Sequence, residues 1–139
     1  MNLSSYLVAY EIEEVGEGFV QIMTALAKQG RAATGVVGDG TFCPVGLLMD
    51  ENERELVEDT AVGLKKIARL LKIRGSIDRD VANLLEYLRY THFSIGTVGN
   101  QFRQDLIAYV SLHRAVFSDS CVDDPYIDAA IEAIRAEIE

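Results

Sequence analysis

Apolar residues recur at every third or fourth position in several separate segments of this chain, and that spacing restricts the fold more than any other feature. It is clearest near the C-terminus, where four residues repeat at intervals of four, three and four: Ile127, Ile131, Ile134 and Ile138. Such a stripe occupies one face of an α-helix. Asp123 or Asp124 is the expected N-cap of this helix, with Pro125 at its first position.

The same spacing predicts three more helices. One carries a stripe of Phe102, Leu106, Tyr109, His113 and Phe117. Another is capped by Ser76 and places on one face Ile77, Val81, Leu84, Leu85 and Leu88. The third ends at Gly75 and carries Leu56, Thr60, Leu64, Ile67 and Leu71. The short connections between these segments favour antiparallel neighbours in a compact bundle.

The N-terminal third allows two interpretations. Residues 18–29 are predicted to be helical, whereas residues 5–12 alternate as a strand would, with one side formed by Tyr6, Val8, Tyr10 and Ile12. Residues 33–48 are then a loop or a short β-hairpin that turns at Gly38, Asp39 and Gly40. The predicted fold is mainly α: a compact bundle of four to five helices in a single domain, residues 1–139. An α+β fold with a strand at residues 5–12 is the alternative.

Composition restricts the functional classes. The chain has 139 residues, of which 49% are apolar, as in an ordinary globular domain. Glutamates appear by position 11 and no apolar run approaches 18 residues, so we expect neither a signal peptide nor a membrane span. Two cysteines without a secretory signal predict reduced thiols and a cytoplasmic protein.

Charge is unevenly distributed along the chain. The net charge is −9, yet seven of the 13 basic residues fall between positions 65 and 89, where only Asp78, Asp80 and Glu86 oppose them. That segment therefore carries +4 and the remainder −13. Its basic residues are Lys65, Lys66, Arg69, Lys72, Arg74, Arg79 and Arg89. Lys65, Arg69 and Lys72 have the spacing of one helix face.

A basic stripe of this kind suits three roles. With nearby aromatic residues it could bind RNA or single-stranded DNA, although a net charge of −9 argues against a dedicated nucleic-acid domain. It could bind an acidic protein face, or simply remain solvated. The C-terminal helix offers a complementary set of acids: Asp123, Asp124, Asp128, Glu132, Glu137 and Glu139. A protein partner or self-association is therefore expected, and no membrane partner.

Evidence for catalysis is weak in the sequence. Cys43 precedes Pro44 at a predicted helix start, where a thiolate is favoured, but a nucleophile also needs a base such as His92 or His113. We interpret Cys43 as a small buried residue, His113 as a core residue, and His92 as a cation that ends a helix. The sequence has no CxxC, HxxxH or HExxH pattern and no phosphate-binding loop, so no metal and no cofactor is predicted.

These observations favour a small non-enzymatic interaction protein. It would act as an adaptor, an inhibitor or a subunit of a larger complex through charged helix faces, and a viral or mobile-element origin would suit such a protein. Two alternatives stay open. One is a nucleic-acid-associated subunit of a ribonucleoprotein complex that uses residues 65–89. The other is a cysteine-dependent enzyme centred on Cys43.

Overall fold

A computed structural model describes residues 1–33, 40–58 and 62–139. Its helices in these ranges are α1 (Leu3–Leu7), α2 (Ile12–Gln29), α3 (Pro44–Leu48), α4 (Glu51–Leu56), α5 (Leu64–Leu70), α6 (Arg79–Thr91), α7 (Gly99–Leu112), α8 (Arg114–Asp119) and α9 (Asp124–Ala136), with a 3₁₀ turn at His92–Ser94. The described ranges contain no strand, which confirms a mainly α bundle. None of their helices is both long and apolar enough to cross a membrane.

The alternative strand at residues 5–12 is wrong. Asn2 begins α1 with a capping box, in which its side-chain oxygen accepts from the Ser5 amide at 3.0 Å and its own amide donates to the Ser5 hydroxyl. Tyr6 is fully buried while Tyr10 is 70% exposed, so the residues assigned to one strand face do not share an environment. The helix cap at Asn2 thus determines the structure of a segment for which side-chain alternation allowed two interpretations.

Helix α2 extends further than predicted. It begins at Ile12, six residues before the expected start, and runs through Gly16 and Gly18. Both glycines lie under aromatic rings, Gly16 under Tyr126 and Gly18 under Tyr6. They are therefore sites of close packing between helices. The predicted end is confirmed, because Gly30 adopts a φ of 75° at the C-cap.

The single long helix predicted through residues 56–71 is divided in two. Helix α4 ends at Leu56 and α5 starts at Leu64, while Thr60 of the predicted stripe lies outside the described residues. Helix α5 also ends before Lys72, whose φ of 57° leaves the helical region, so Gly75 is not the helix stop. The cap of α6 is Asp78, which accepts from the Val81 amide at 3.0 Å, and not Ser76.

The core lies between the four longest helices, with α2 packed along α9 and α9 packed along α7. Phe19 of α2 and Phe117 of α8 pack inside it with their rings tilted by 51° at a centroid separation of 4.9 Å. Apolar residues of the predicted stripes of α6, α7 and α9 are buried there: Val81, Leu84, Leu85, Leu88, Phe102, Leu106, Ile127 and Ile134. The predicted hairpin is not confirmed. Gly38 and Asp39 of its turn lie outside the described residues, and residues 40–43 lead irregularly into α3.

Candidate interaction surface

Helix α5 separates apolar from basic side chains. Leu64 and Ile67 are buried against the core. Lys65, Lys66 and Arg69 occupy the other faces of the helix and are exposed. The amphipathic pattern read from the sequence is therefore present over this short helix.

The remaining basic residues of the segment follow α5 on an irregular connection. Lys72 and Arg74 are exposed in the link, and Arg79 is exposed at the first position of α6. Lys72 does not continue the helical stripe of Lys65 and Arg69, because the backbone has left the helix before it. The predicted three-residue stripe is therefore wrong for Lys72, although its side chain still reaches solvent.

Arg89 differs from the other six basic residues. Only 7% of it is exposed, and its guanidinium donates to both carboxylate oxygens of Glu86 at 2.9 Å and to the Val62 carbonyl at 2.7 Å. A buried arginine with these contacts ties α6 to the chain before α5. The structure thus places Arg89 in the framework and the other six at the surface.

The six exposed side chains form what we call the basic surface: Lys65, Lys66, Arg69, Lys72, Arg74 and Arg79. Within the described part of the chain none of them makes an ion pair. The other ion pairs of these ranges involve Arg114 and Arg135 instead. The basic surface is therefore a set of six exposed positive charges without a direct ion-pair partner among the described acids.

Tyr10 lies beside this surface, a placement that no spacing pattern in the sequence predicts. Its hydroxyl donates to the Ser76 carbonyl at 3.4 Å, and the Asp78 amide donates to the Leu7 carbonyl at 2.8 Å. These two contacts hold the α1–α2 turn against the α5–α6 link. Tyr10 nevertheless remains 70% exposed. It thus presents an aromatic ring at the edge of the basic surface.

Acidic residues converge where α2 and α9 begin. The ring of Tyr126 packs on Gly16, so it lies between Glu13 and Glu17, one helical turn apart on α2. Partial burial raises the pKa of Tyr126 above its ordinary value, and so do the charges of three nearby carboxylates: Glu13, Glu17 and Asp123. Asp123 is the N-cap residue of α9, where a negative charge suits the helix dipole.

Asp80 extends this acidic region from α6. The Cys121 thiol donates to its carboxylate at a sulfur–oxygen distance of 3.1 Å. That hydrogen bond, then burial, then the charges of Asp80, Asp78 and Asp123 raise the pKa of Cys121 to about 11. We call Glu13, Glu17, Asp80 and Asp123 the acidic surface. Its members come from three helices and are not adjacent in sequence.

The acids along α9, by contrast, are partly neutralised. Arg114 donates to Asp124 at 3.1 Å and to Asp128 at 2.6 Å, and Arg135 pairs with Glu132. The predicted acidic face of the C-terminal helix is therefore compensated along much of its length by arginines of this chain. Glu13, Glu17 and Asp123 make no ion pair among the described residues.

Cys43 lies 6% exposed at the N-cap of α3, a helix of five residues. Neither histidine hydrogen-bonds to it in the described structure. His92 Nδ1 bonds to the Arg89 carbonyl at 2.8 Å, and His113 Nδ1 bonds to the Tyr87 hydroxyl. The histidine base that the cysteine-dependent enzyme alternative requires is therefore not paired with Cys43 by either candidate.

His92 does not act as a helix-ending cation. It is 1% exposed, and burial lowers its pKa below the ordinary value. Because the Arg89 carbonyl can only accept, Nδ1 carries the proton of a neutral ring. Its Nε2 has no hydrogen-bond partner among the described residues. A charge at this position would be desolvated, so the sequence interpretation of His92 is wrong.

A cleft of about 380 Å³ lies between residues 94–97 and α7. Asp105, Tyr109 and His113 contribute polar groups to its lining. The Asp105 carboxylate accepts from the Thr97 hydroxyl at 2.7 Å and from Gln101 at 2.9 Å, and Tyr109 bonds to Thr91. These polar groups are thus already engaged in hydrogen bonds within the protein. No cluster of three or more metal-binding side chains occurs in the ranges that the structure describes.

Comparison with protein-family models, with curated proteins and with solved structures found no match to this chain.

Proposed function

We propose that this chain is a small non-enzymatic interaction protein that binds an acidic face of a macromolecular partner through its basic surface. One observation carries this proposal: six basic side chains within residues 65–79 are exposed and make no ion pair inside the described chain, although the protein as a whole is acidic. Isolated surface charges are commonly solvated, but a cluster of one sign creates a field that attracts an opposite surface.

The proposal includes a protein partner, an adaptor, inhibitor or subunit role, and a cytoplasmic location where both cysteines stay reduced. Complementary charge gives fast association and partner choice more than affinity, so such a contact would be reversible. Arg89 is excluded from the binding set because its guanidinium is already engaged with Glu86 and Val62. The residues proposed to contact the partner are Lys65, Lys66, Arg69, Lys72, Arg74 and Arg79.

A second candidate is binding of RNA or single-stranded DNA by the same surface. The exposed rings favour it, because Tyr10 is 70% and Tyr90 71% exposed, and bases stack on such rings. Arg89 of the same segment lies 5.4 Å from the centroid of the Tyr90 ring. The net charge of −9 opposes it, because phosphate binding is dominated by charge. We therefore place it second.

A binding experiment with two defined probes tests this function. A labelled poly-glutamate peptide and a labelled oligo-dT of equal charge are titrated with the wild type and with Lys65→Gln/Arg69→Gln. The double variant Lys28→Gln/Arg31→Gln is the matched control, because it removes the same charge from two exposed residues that do not belong to the basic surface. Fluorescence polarisation in about 0.1 M salt gives the dissociation constants.

We expect the wild type and the control to bind the peptide equally, and the Lys65/Arg69 variant about tenfold more weakly. Preference for oligo-dT, weakened by the same two substitutions, would place the nucleic-acid candidate first. Equal affinities of all three proteins for both probes would contradict any binding role of the basic surface.

A further inference from the structure

We propose that the basic surface pairs with the acidic surface of a second copy of this chain, in a two-fold dimer with Tyr10 near its axis. This inference rests on the proposed function and names the acidic face that the basic surface binds. Each subunit would present its basic surface to the partner's acidic surface and receive the same contact in return.

The two surfaces meet at the start of α6. Arg79, at the edge of the basic surface, precedes Asp80 of the acidic surface directly in α6. The acidic surface continues to Asp123 and then to Glu13 and Glu17 through the Cys121 and Tyr126 contacts. Adjacent patches of opposite sign form a self-complementary pattern. When one copy is rotated by a half turn about their boundary, positive charge meets negative charge twice.

Tyr10 occupies that boundary. The first turn of α2, with Glu13, begins two residues after it, while its hydroxyl bonds to Ser76 in the basic link. The ring is 70% exposed, and Ile12 beside it is 45% exposed. Tyrosine is enriched among the residues that dominate binding energy at interface centres. An aromatic and an aliphatic side chain thus lie where a two-fold axis would pass.

The contact must act against the net charge of two acidic subunits. At an ionic strength of about 0.1 M, charges separated by more than about 10 Å are largely screened, whereas pairs in direct contact are screened much less. Complementary local contacts can therefore outweigh the overall repulsion at moderate salt. The four acidic and six basic residues involved lie within the described ranges, and the basic residues have no ion pair there that dimerisation would have to break.

Charge exchange tests the dimer directly. One variant carries Lys65→Glu, Lys66→Glu, Arg69→Glu and Arg74→Glu, which changes the basic surface from +6 to −2. The other carries Glu13→Lys, Glu17→Lys and Asp123→Lys, which changes the acidic surface from −4 to +2, and all seven positions are exposed. Each variant alone has surfaces of like charge and should be monomeric. When the two are mixed, each opposite pair of surfaces is complementary again, so a one-to-one heterodimer should form. Circular dichroism verifies that both variants fold, and light scattering behind a sizing column gives their mass.

A third variant, Tyr10→Ser, tests the centre of the interface. The hydrogen bond that the Tyr10 hydroxyl makes is long and exposed, so the variant should still fold as a monomer. The dissociation constant of the dimer should rise by about tenfold or more. A wild type that stays monomeric at about 0.1 M salt, or a mixture of the exchanged variants that does not associate, would overturn the dimer. If that monomer still bound poly-glutamate through Lys65 and Arg69, the proposed function would stand without it. If that monomer did not bind poly-glutamate either, both the dimer and the proposed function would be refuted.

Discussion

The ring of Tyr126 lies directly on Gly16, so that a Cβ atom added to Gly16 would fall 2.3 Å from the ring carbons Cγ and Cδ2. This contact joins α9 to the N-terminal half of α2, the most extensive helix pair in the core. A second glycine of α2 has the same role toward α1, because a Cβ at Gly18 would fall 2.1 Å from Cε1 of Tyr6. Two small residues thus set how closely three helices approach.

Gly18→Ala should destabilise the protein more than Gly16→Ala. Tyr6 is fully buried and its hydroxyl donates to the Val15 carbonyl at 2.7 Å, so its ring cannot move aside, whereas Tyr126 is only half-buried. We expect about 3 kcal/mol for Gly18→Ala and about 1 kcal/mol for Gly16→Ala from chemical denaturation. Gly96→Ala is the control, since a Cβ there meets no atom within 4 Å. Equal losses at all three positions would contradict this packing.

Glu53→Ala should destabilise the fold by about 2–4 kcal/mol, because this buried carboxylate caps two helices. It accepts from the Leu3 and Ser4 amides at 3.0 and 2.6 Å, and from the Asp50 amide at 3.0 Å. Removing it leaves three amide groups at the starts of α1 and α4 without that acceptor. Glu51→Ala, an exposed change on the same helix, should cost less than about 0.5 kcal/mol. Thermal melts that do not separate the two variants would refute this role.

The free energy of unfolding should fall in acid because of His92. Burial lowers the pKa of this histidine below its ordinary value of 6.5 in the folded state, so below pH 6.5 the unfolded chain binds a proton that the folded chain resists. The stabilising contribution is complete above pH 6.5 and is lost as the pH falls below it. One proton gives a limiting slope of about 1.4 kcal/mol per pH unit. Urea unfolding at a series of pH values measures it.

His92→Phe is the variant that isolates this titration. It removes the ionisable ring while keeping an aromatic side chain beside Phe93, whose ring lies 4.0 Å from that of His92. The informative quantity is the slope of its free energy of unfolding against pH. That slope should be shallower than in the wild type between pH 6.5 and the onset of carboxylate protonation. Parallel curves for the two proteins would show that another group causes the acid loss.

Cys121 should react slowly with alkylating reagents at neutral pH, because its pKa is raised to about 11 and the thiolate is the reactive form. Asp80→Asn removes the charge that the thiol faces at 3.1 Å, so its pKa should fall and alkylation should become faster. The measurement is the alkylation rate against pH in a Cys43→Ser background. An unchanged rate profile in Asp80→Asn would mean that Asp80 does not control this thiol.

Local signals predicted local structure well. The two aspartates and Pro125 located the start of α9 to within one residue, since Pro125 is at the second helical position and Asp123 makes no side-chain cap hydrogen bond. The 3–4 spacing located the buried faces of α6 and α7. The exposure of Lys65 and Arg69 also followed from the position of Leu64 and Ile67 on the opposite face of α5. These features depend on residues within a few helical turns, which periodicity describes.

Long-range contacts account for what the sequence did not predict. Arg89 is buried and donates to the Val62 carbonyl, which is 27 residues away in sequence. Glu53 is buried where it accepts from the Leu3 amide, 50 residues earlier. Tyr10 meets Ser76 across 66 residues, and the acidic surface joins three helices. No spacing rule encodes such pairs. The basic surface could therefore be predicted from sequence, but its acidic neighbour and the aromatic residue between them could not.

The most direct test of the central claim is a nuclear magnetic resonance titration of the isotope-labelled protein with the poly-glutamate peptide. If the basic surface is the interaction surface, the largest changes in amide chemical shift should come from residues 64–80. The amide signals of α7 and of the C-terminal part of α9 should not move. High salt should reverse the shifts. Largest shifts outside residues 64–80, or no shifts at moderate salt, would contradict the assignment of function to this surface.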